Sequence, residues 1–246
     1  MAMSDAPEAE PILEILDDAD AICRRVADWL ASEAAQTQGR FAIALSGGST
    51  PKKMYELLAR PPDRDAVPWD RVHLFWGDER FVPPDDPDSN YRMVREALID
   101  HVPIPTENVH AIPTSGTPAE AAAAYAATLA TFYGTGTLEP TRPLFDLVLL
   151  GLGTDGHTAS LFPGSAALDE KRAWVAAVDE NGRQPRITLT YPALAASRNL
   201  AFLVTGAEKS NVVPRVRRGD PTLPAARVRT NGRSRWFLDR AAAGAK

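Results

Sequence analysis

Residues able to move a proton and residues able to hold an anion stand in four short polar clusters, each directly behind an apolar run. The richest is Thr154-Asp155-Gly156-His157-Thr158-Ala159-Ser160, which follows Leu147-Val148-Leu149-Leu150 and the breaks at Gly151 and Gly153. His157 is one of four histidines and the only one in such a cluster; His73, His101 and His110 stand alone and are read as structural or surface. An imidazole titrates near neutral pH, so His157 suits general acid–base work. Behind residues 72–76 comes Gly77-Asp78-Glu79-Arg80, either a solvated turn or a site. Behind residues 41–45 comes Ser46-Gly47-Gly48-Ser49-Thr50-Pro51. Glycines between a strand and a helix start leave backbone N–H groups pointing outward, and the helix dipole favours an anion there. The spacing is not that of a Walker A loop. The fourth cluster, Thr205-Gly206-Ala207-Glu208-Lys209, follows residues 199–204. Arg80 as a two-pronged fork and Lys209 as a point charge would both suit a phosphate.

For these clusters to meet, the runs before them must be neighbouring strands. Apolar or alternating patterns predict strands at 12–16, 41–45, 72–76, 144–150, 199–204 and 235–238, with strand-like stretches at 110–112, 173–178 and 186–190. Helices are predicted from an Asp18 or Asp20 cap to about Ala35, and from a Ser49 or Thr50 cap, with Pro51 in the first turn, to about Ala59. Others start at Ser89 or Asn90, at Thr117-Pro118 and at Tyr191-Pro192; another starts in 205–209, runs to about Val216 and is kinked or shortened by Pro214, and Asp239 can cap a terminal helical turn. Alternating strands and helices imply an α/β class. The expected architecture is a three-layer α/β/α, Rossmann-like fold, its largely parallel sheet carrying helices on both faces. Such sheets bind ligands beyond the carboxyl ends of their strands, where all four clusters fall. Residues 12–246 are expected to form a single domain behind a disordered acidic tail, 1–11.

Bulk composition narrows the class. Of 246 residues 44% are hydrophobic and 24% charged, and the net charge of -5 argues against a nucleic-acid partner. A lone cysteine, Cys23, excludes an internal disulfide and a Cys-rich zinc site, and it reads as core. No second histidine or cysteine stands at metal-ligand spacing near His157, so neither metal nor cofactor is expected. No apolar run reaches the ~18 residues of a membrane span, and the N-terminus lacks signal-peptide character. The expectation is therefore a cytoplasmic protein with a small-molecule partner and no membrane contact, a monomer or weak homo-oligomer.

At these same residues the chain resembles the 6-phosphogluconolactonase family. The resemblance runs over Leu45-Ser46-Gly47-Gly48-Ser49-Thr50-Pro51, Trp76-Gly77-Asp78-Glu79-Arg80, residues 151–164, Arg186-Ile187-Thr188 and Gly206-Ala207-Glu208-Lys209, in the family's order. It implies hydrolysis of 6-phosphogluconolactone to 6-phosphogluconate, the second step of the oxidative pentose phosphate pathway. It implies that Gly47, Gly48, Ser49 and Thr50 hold the phosphate with Arg80 and Lys209, and that Ser46 and Arg186 add to that pocket. His157 would act as general base, with Asp155 or Asp78 orienting the ring or the water, and backbone N–H groups in 151–156 would meet the oxyanion. Pro214, and Ala226 where similar sequences often have serine, depart from the pattern. Two rivals remain: glucosamine-6-phosphate deaminase, which shares an Asp-Gly-His loop, and a non-catalytic sugar-phosphate sensor.

Overall fold

A computed structural model describes residues 10–179, 182 and 184–245, so of the expected tail only Glu10 and Pro11 lie within the described residues. The first half of the chain builds β1 (Ile12–Leu16), α1 (Ala19–Gln36), β2 (Phe41–Leu45), α2 (Ser49–Leu58), α3 (Asp63–Ala66), β3 (Val72–Trp76), β4 (Asp78–Arg80) and α4 (Asn90–Ala97). The second half adds α5 (Pro118–Tyr133), β5 (Phe145–Leu150), β6 (Val175–Val178), β7 (Arg186–Leu189), α6 (Tyr191–Ala195), β8 (Ser197–Val204), α7 (Val212–Arg217) and β9 (Arg233–Asp239). Six strands form one sheet in the order β1-β9-β8-β5-β2-β3, and every pairing in it is parallel. The apolar run Phe41-Ala42-Ile43-Ala44-Leu45 is buried along its whole length, as a central strand covered on both faces must be. Helices α1 to α4 contact one another on the large sheet, while α5 packs on β6 and β7. The chain runs outward from β2 to β3 in one direction and from β5 to β8 and β9 in the other. The reversal of strand order therefore lies between β2 and β5, where a crevice opens.

Local signals place most helix ends. Asp18 Oδ1 accepts the Ala21 N–H at 2.8 Å and caps α1. Thr117 and Glu120 form a reciprocal capping box on α5, and Gly134 ends it in the left-handed conformation. The cap of α2 corrects the sequence expectation. It is Gly48, not Ser49 or Thr50, and it sits at φ 104°, a turn out of β2 that a residue with a Cβ resists. The helix expected from 205–209 to about Val216 divides into a tight turn, Ala207–Lys209, and α7, with Pro214 in the first turn of α7 where its missing N–H costs nothing. Residues 110–112 form no strand; Val109 makes an isolated bridge to Leu74, and the His110 N–H donates to the Leu74 carbonyl at 2.8 Å.

A second sheet, β4-β7-β6, is antiparallel and was not foreseen. Residues 78–80 are too few to show a strand period, and their partner β7 lies far along the chain. Trp76, just before β4, has its N–H and C=O turned to the open edge of the large sheet. The Tyr125 hydroxyl, from α5, accepts that N–H at 2.8 Å and donates to that carbonyl at 3.0 Å. Cys23 is buried as expected, its Sγ donating to the Thr50 carbonyl at 3.2 Å, and burial pushes the thiol up to about 11.

His73 and His110 do not stand alone. Their Nδ1 and Nε2 atoms lie 3.1 Å apart, and the rings pack with Phe75 and Phe132. Burial first, then the charge of His110 and of Arg40, lower His73 to about 4; burial lowers His110 as well. The folded protein thus keeps His73 neutral where the unfolded chain binds a proton, so stability falls as pH drops from about 6.5 toward 4. Thermal melts should show the midpoint falling across that window, and a His73→Leu/His110→Leu variant should flatten the fall. An equally steep fall in the variant would place the sensitivity elsewhere.

Candidate active site

The crevice between β2 and β5 holds a cleft of about 350 Å³. The β2–β5 ladder carries only the pairs Ile43↔Leu147 and Ala44↔Val148, so the two strands part just before their polar loops. Ser46, Gly47, Gly48, Ser49, Thr50, Asp78, Arg80, His157, Arg186 and Lys209 all line the cleft. Asp155 is off its wall and stands behind His157.

The loop after β5 is built to present one ring nitrogen. Asp155 Oδ1 lies 2.6 Å from His157 Nδ1 and also accepts the His157 backbone N–H at 3.1 Å. Partial burial works against the Asp155 charge, but the bonds from the His157 ring and backbone outweigh it and hold the carboxyl below its ordinary value. An ionised carboxylate only accepts, so the shared proton sits on Nδ1, and in the neutral ring the lone pair is then on Nε2. The Gly153 N–H donates to the His157 carbonyl at 2.8 Å. A Cβ on Gly153 would come within 2.1 Å of Nδ1 and 2.6 Å of Asp155 Oδ1, so only glycine lets this pair form. The Gly156 N–H bonds the Gly153 carbonyl. The amides of Gly153 and Gly156 are therefore spent within the loop and do not serve an oxyanion. The turn Pro224–Arg227 braces the loop through the Ala225 N–H, which donates to the Gly156 carbonyl at 2.9 Å. That support is main-chain, so alanine at the buried position 226 leaves it in place.

Asp78 faces other partners. Its Oδ2 accepts from the Ser160 hydroxyl at 2.6 Å and lies 3.9 Å from an Arg186 nitrogen. Between the two carboxylates left open by the sequence, the geometry puts Asp155 on the imidazole.

The small sheet sets which residues of 78–80 meet the cleft. Its register places Asp78 opposite Thr188, Glu79 opposite Ile187 and Arg80 opposite Arg186. Side chains alternate along a strand, so Asp78, Arg80 and Arg186 share the cleft face and Glu79 turns away. Glu79 is 1% exposed and accepts the N–H groups of Arg80, Asn90 and Tyr91 together with the Ser89 hydroxyl. Burial raises its carboxyl and those hydrogen bonds oppose the rise. Glu79 thereby pins the start of α4. It also places Asn90, whose Nδ2 donates to the Asp78 carbonyl at 2.9 Å and whose carboxamide lies against Gly47. Sequence reading missed Asn90 as a site residue; its position at a helix start behind an acidic loop was the only signal.

Directly opposed arginines repel, and an anion between them would relieve the repulsion. Among the described residues the Arg80 guanidinium donates one bond, to the Asp88 carbonyl at 2.5 Å, and its buried Nε has no partner. Lys209 makes no ion pair among the described residues, and neighbouring Glu208, also missed, sits on the rim. The Thr50 and Thr205 hydroxyls, 2.9 Å apart, join the first turn of α2 to the end of β8. The N–H groups of Gly47, Gly48, Ser49 and Thr50 have no partner among the described residues, whereas that of Ser46 is taken by the Tyr55 hydroxyl at 3.1 Å. The cleft thus sets an oriented imidazole beside a cradle of free amides and three cations. Among the described residues no group of three or more His, Cys, Asp or Glu side chains is placed to hold a metal ion. No described helix is long and apolar enough to cross a membrane.

The profile of the family described as glucosamine-6-phosphate isomerases/6-phosphogluconolactonase matches residues 17–236. A 6-phosphogluconolactonase of a Nostoc species is 44% identical over 241 residues, covering 95% of this chain and 97% of its own. The solved 6-phosphogluconolactonase from Trypanosoma cruzi is 30% identical with a TM-score of 0.86, over 98% of each chain. A monomeric glucosamine-6-phosphate deaminase reaches a TM-score of 0.78 at 18% identity, over 96% of this chain and 100% of its own, which shows a shared fold alone.

Proposed function

The chain belongs to the glucosamine-6-phosphate isomerases/6-phosphogluconolactonase family, and we propose that it is a lactonase hydrolysing 6-phospho-D-glucono-1,5-lactone to 6-phospho-D-gluconate. The observation that carries this reading is the 2.6 Å His157–Asp155 pair facing a cleft of free amides and cations. His157 Nε2 takes a proton from the water that attacks the lactone carbonyl. Asp155 stabilises the imidazolium that forms. The imidazolium then gives the proton to the ring oxygen as the C–O bond breaks. No covalent intermediate is needed, because a lactone is already an activated ester. Asp78, held by Ser160 and beside Arg186, is left to orient the water or the substrate.

The phosphate end of the substrate lies on the free amides of 47–50, between Arg80, Arg186 and Lys209. A hydrogen bond to a charged group contributes about 1.5–3 kcal/mol. Arg80→Ala or Lys209→Ala should therefore lower kcat/KM on the phosphorylated lactone by about 10–150-fold. The same variants should leave unphosphorylated gluconolactone nearly unaffected; equal losses on both substrates would show that these cations do not read the phosphate.

The test of the activity itself is a dehydrogenase-coupled lactonase assay, read above spontaneous hydrolysis. No acceleration, with ammonia released from glucosamine 6-phosphate, would replace this reading by the deaminase one.

A further inference from the structure

The free amides of the α2 start are useful only if they point at one place, and the two residues before that helix, Gly47 and Gly48, are the least able to fix a direction. The restraint comes from further along the same helix. The Leu45 carbonyl accepts the Gly77 N–H on the β3 side, so the N–H and C=O of Ser46 turn back toward β5. The β2–β5 ladder has already ended at Ala44↔Val148, and no strand backbone meets them. Instead the Tyr55 hydroxyl accepts the Ser46 N–H at 3.1 Å and donates to the Ser46 carbonyl at 2.9 Å. Tyr55 is fully buried, so no bulk water competes for either group. Burial also drives its phenol far above the ordinary value, which keeps the donor proton in place at every working pH.

We infer that Tyr55 is a positioning residue for the phosphate end of the cleft: its hydroxyl replaces the missing strand partner of Ser46 and locks the angle between β2 and α2. The Ser46–Tyr55 bonds close a small triangle whose third side is the Gly47-Gly48 turn. The amides of Gly48, Ser49 and Thr50 are carried on that triangle, and its geometry sets where they aim. Tyr55 touches neither the cleft nor His157, so its effect falls on binding of the anion and not on the proton transfer.

This inference rests on the reading of the 46–50 loop as the phosphate site, and the two are tested separately. Wild-type turnover of the phosphorylated lactone, and its competition by inorganic phosphate, test the site. Tyr55→Phe, which keeps the ring and removes only the hydroxyl, tests the positioning. It should raise KM for the phosphorylated lactone and Ki for inorganic phosphate by about 10-fold each, roughly one hydrogen bond to a charged group. Its kcat, its pH profile and its kcat/KM on unphosphorylated gluconolactone should stay within about twofold. Tyr133→Phe is the matched control. That hydroxyl also braces a loop, donating to the Arg142 carbonyl and accepting the Glu139 N–H, but away from the cleft. It should leave both constants unchanged. If Tyr55→Phe does not fold, 4-aminophenylalanine in place of Tyr55 keeps a donor and a weak acceptor there and should give a smaller rise of the same kind. An unchanged Ki for phosphate, or equal losses on both lactones, would overturn the inference even with the wild-type site established.

Discussion

His157→Ala is expected to lower kcat by about 10²–10⁴-fold, the usual contribution of a positioned general base. The loss should appear in kcat more than in KM, because the ring acts on the water and not on the phosphate. Asp155 engages Nδ1, so Nε2 is the ring nitrogen left to accept a proton in the neutral ring, and His157 lines the cleft. Its side chain is about a third exposed, at 32%, so truncation leaves no large cavity and the fold should survive. The measurement needs a fast coupled assay, since the substrate also opens spontaneously and sets the floor. A folded variant with kcat within a few-fold of wild type would sink the base assignment.

Asp155→Asn is expected to cost about 10²-fold or more in kcat with little change in KM. The reason is tautomeric. The carboxylate accepts from Nδ1–H and leaves Nε2 basic; a carboxamide that turns its NH₂ to Nδ1 leaves the ring proton on Nε2, which then cannot accept. The same change in a buried catalytic triad costs about 10⁴-fold. Here the Asp155 side chain is 43% exposed, so solvent recovers part of the loss. The carboxyl lies below its ordinary value, so the stability from this pair is present above that ordinary value. It is lost only as pH falls through the lowered one. Wild-type and variant melts should therefore converge at acid pH and differ near neutrality. A variant with full kcat would mean that the loop, and not the carboxylate, orients His157.

Much of the scaffold was legible because its signals are local. The all-apolar run of β2 marks a strand buried on both faces. Asp18 and Thr117 are caps whose partners lie within one turn. Glycines behind apolar runs marked loops that do lie on one rim. Even so, local chemistry misplaced the cap of α2. Ser49 and Thr50 are better capping side chains than glycine, but the turn out of β2 demands a positive φ one residue earlier. Glu79 shows the limit in another way. Beside Asp78 and Arg80 it looks like a third site group, but the strand alternation of β4 turns it inward to anchor α4.

The sequence by itself determined which residues could do chemistry and that they stand at strand ends: His157 and Asp155 behind β5, the amides of 47–50 behind β2, Arg80 behind β3, Lys209 behind β8. Tertiary structure alone decided their pairing. Asp155, not Asp78, holds the imidazole, because the Ser160 hydroxyl takes Asp78. Arg186 faces Arg80 through an antiparallel sheet joining distant segments. Tyr55 fills a gap that exists only because β2 and β5 part. The physical reason is range. Turn chemistry and hydrophobic period act over a few residues and are written in the order of the side chains. Register between segments far apart is set by packing the whole core, and no local pattern encodes it.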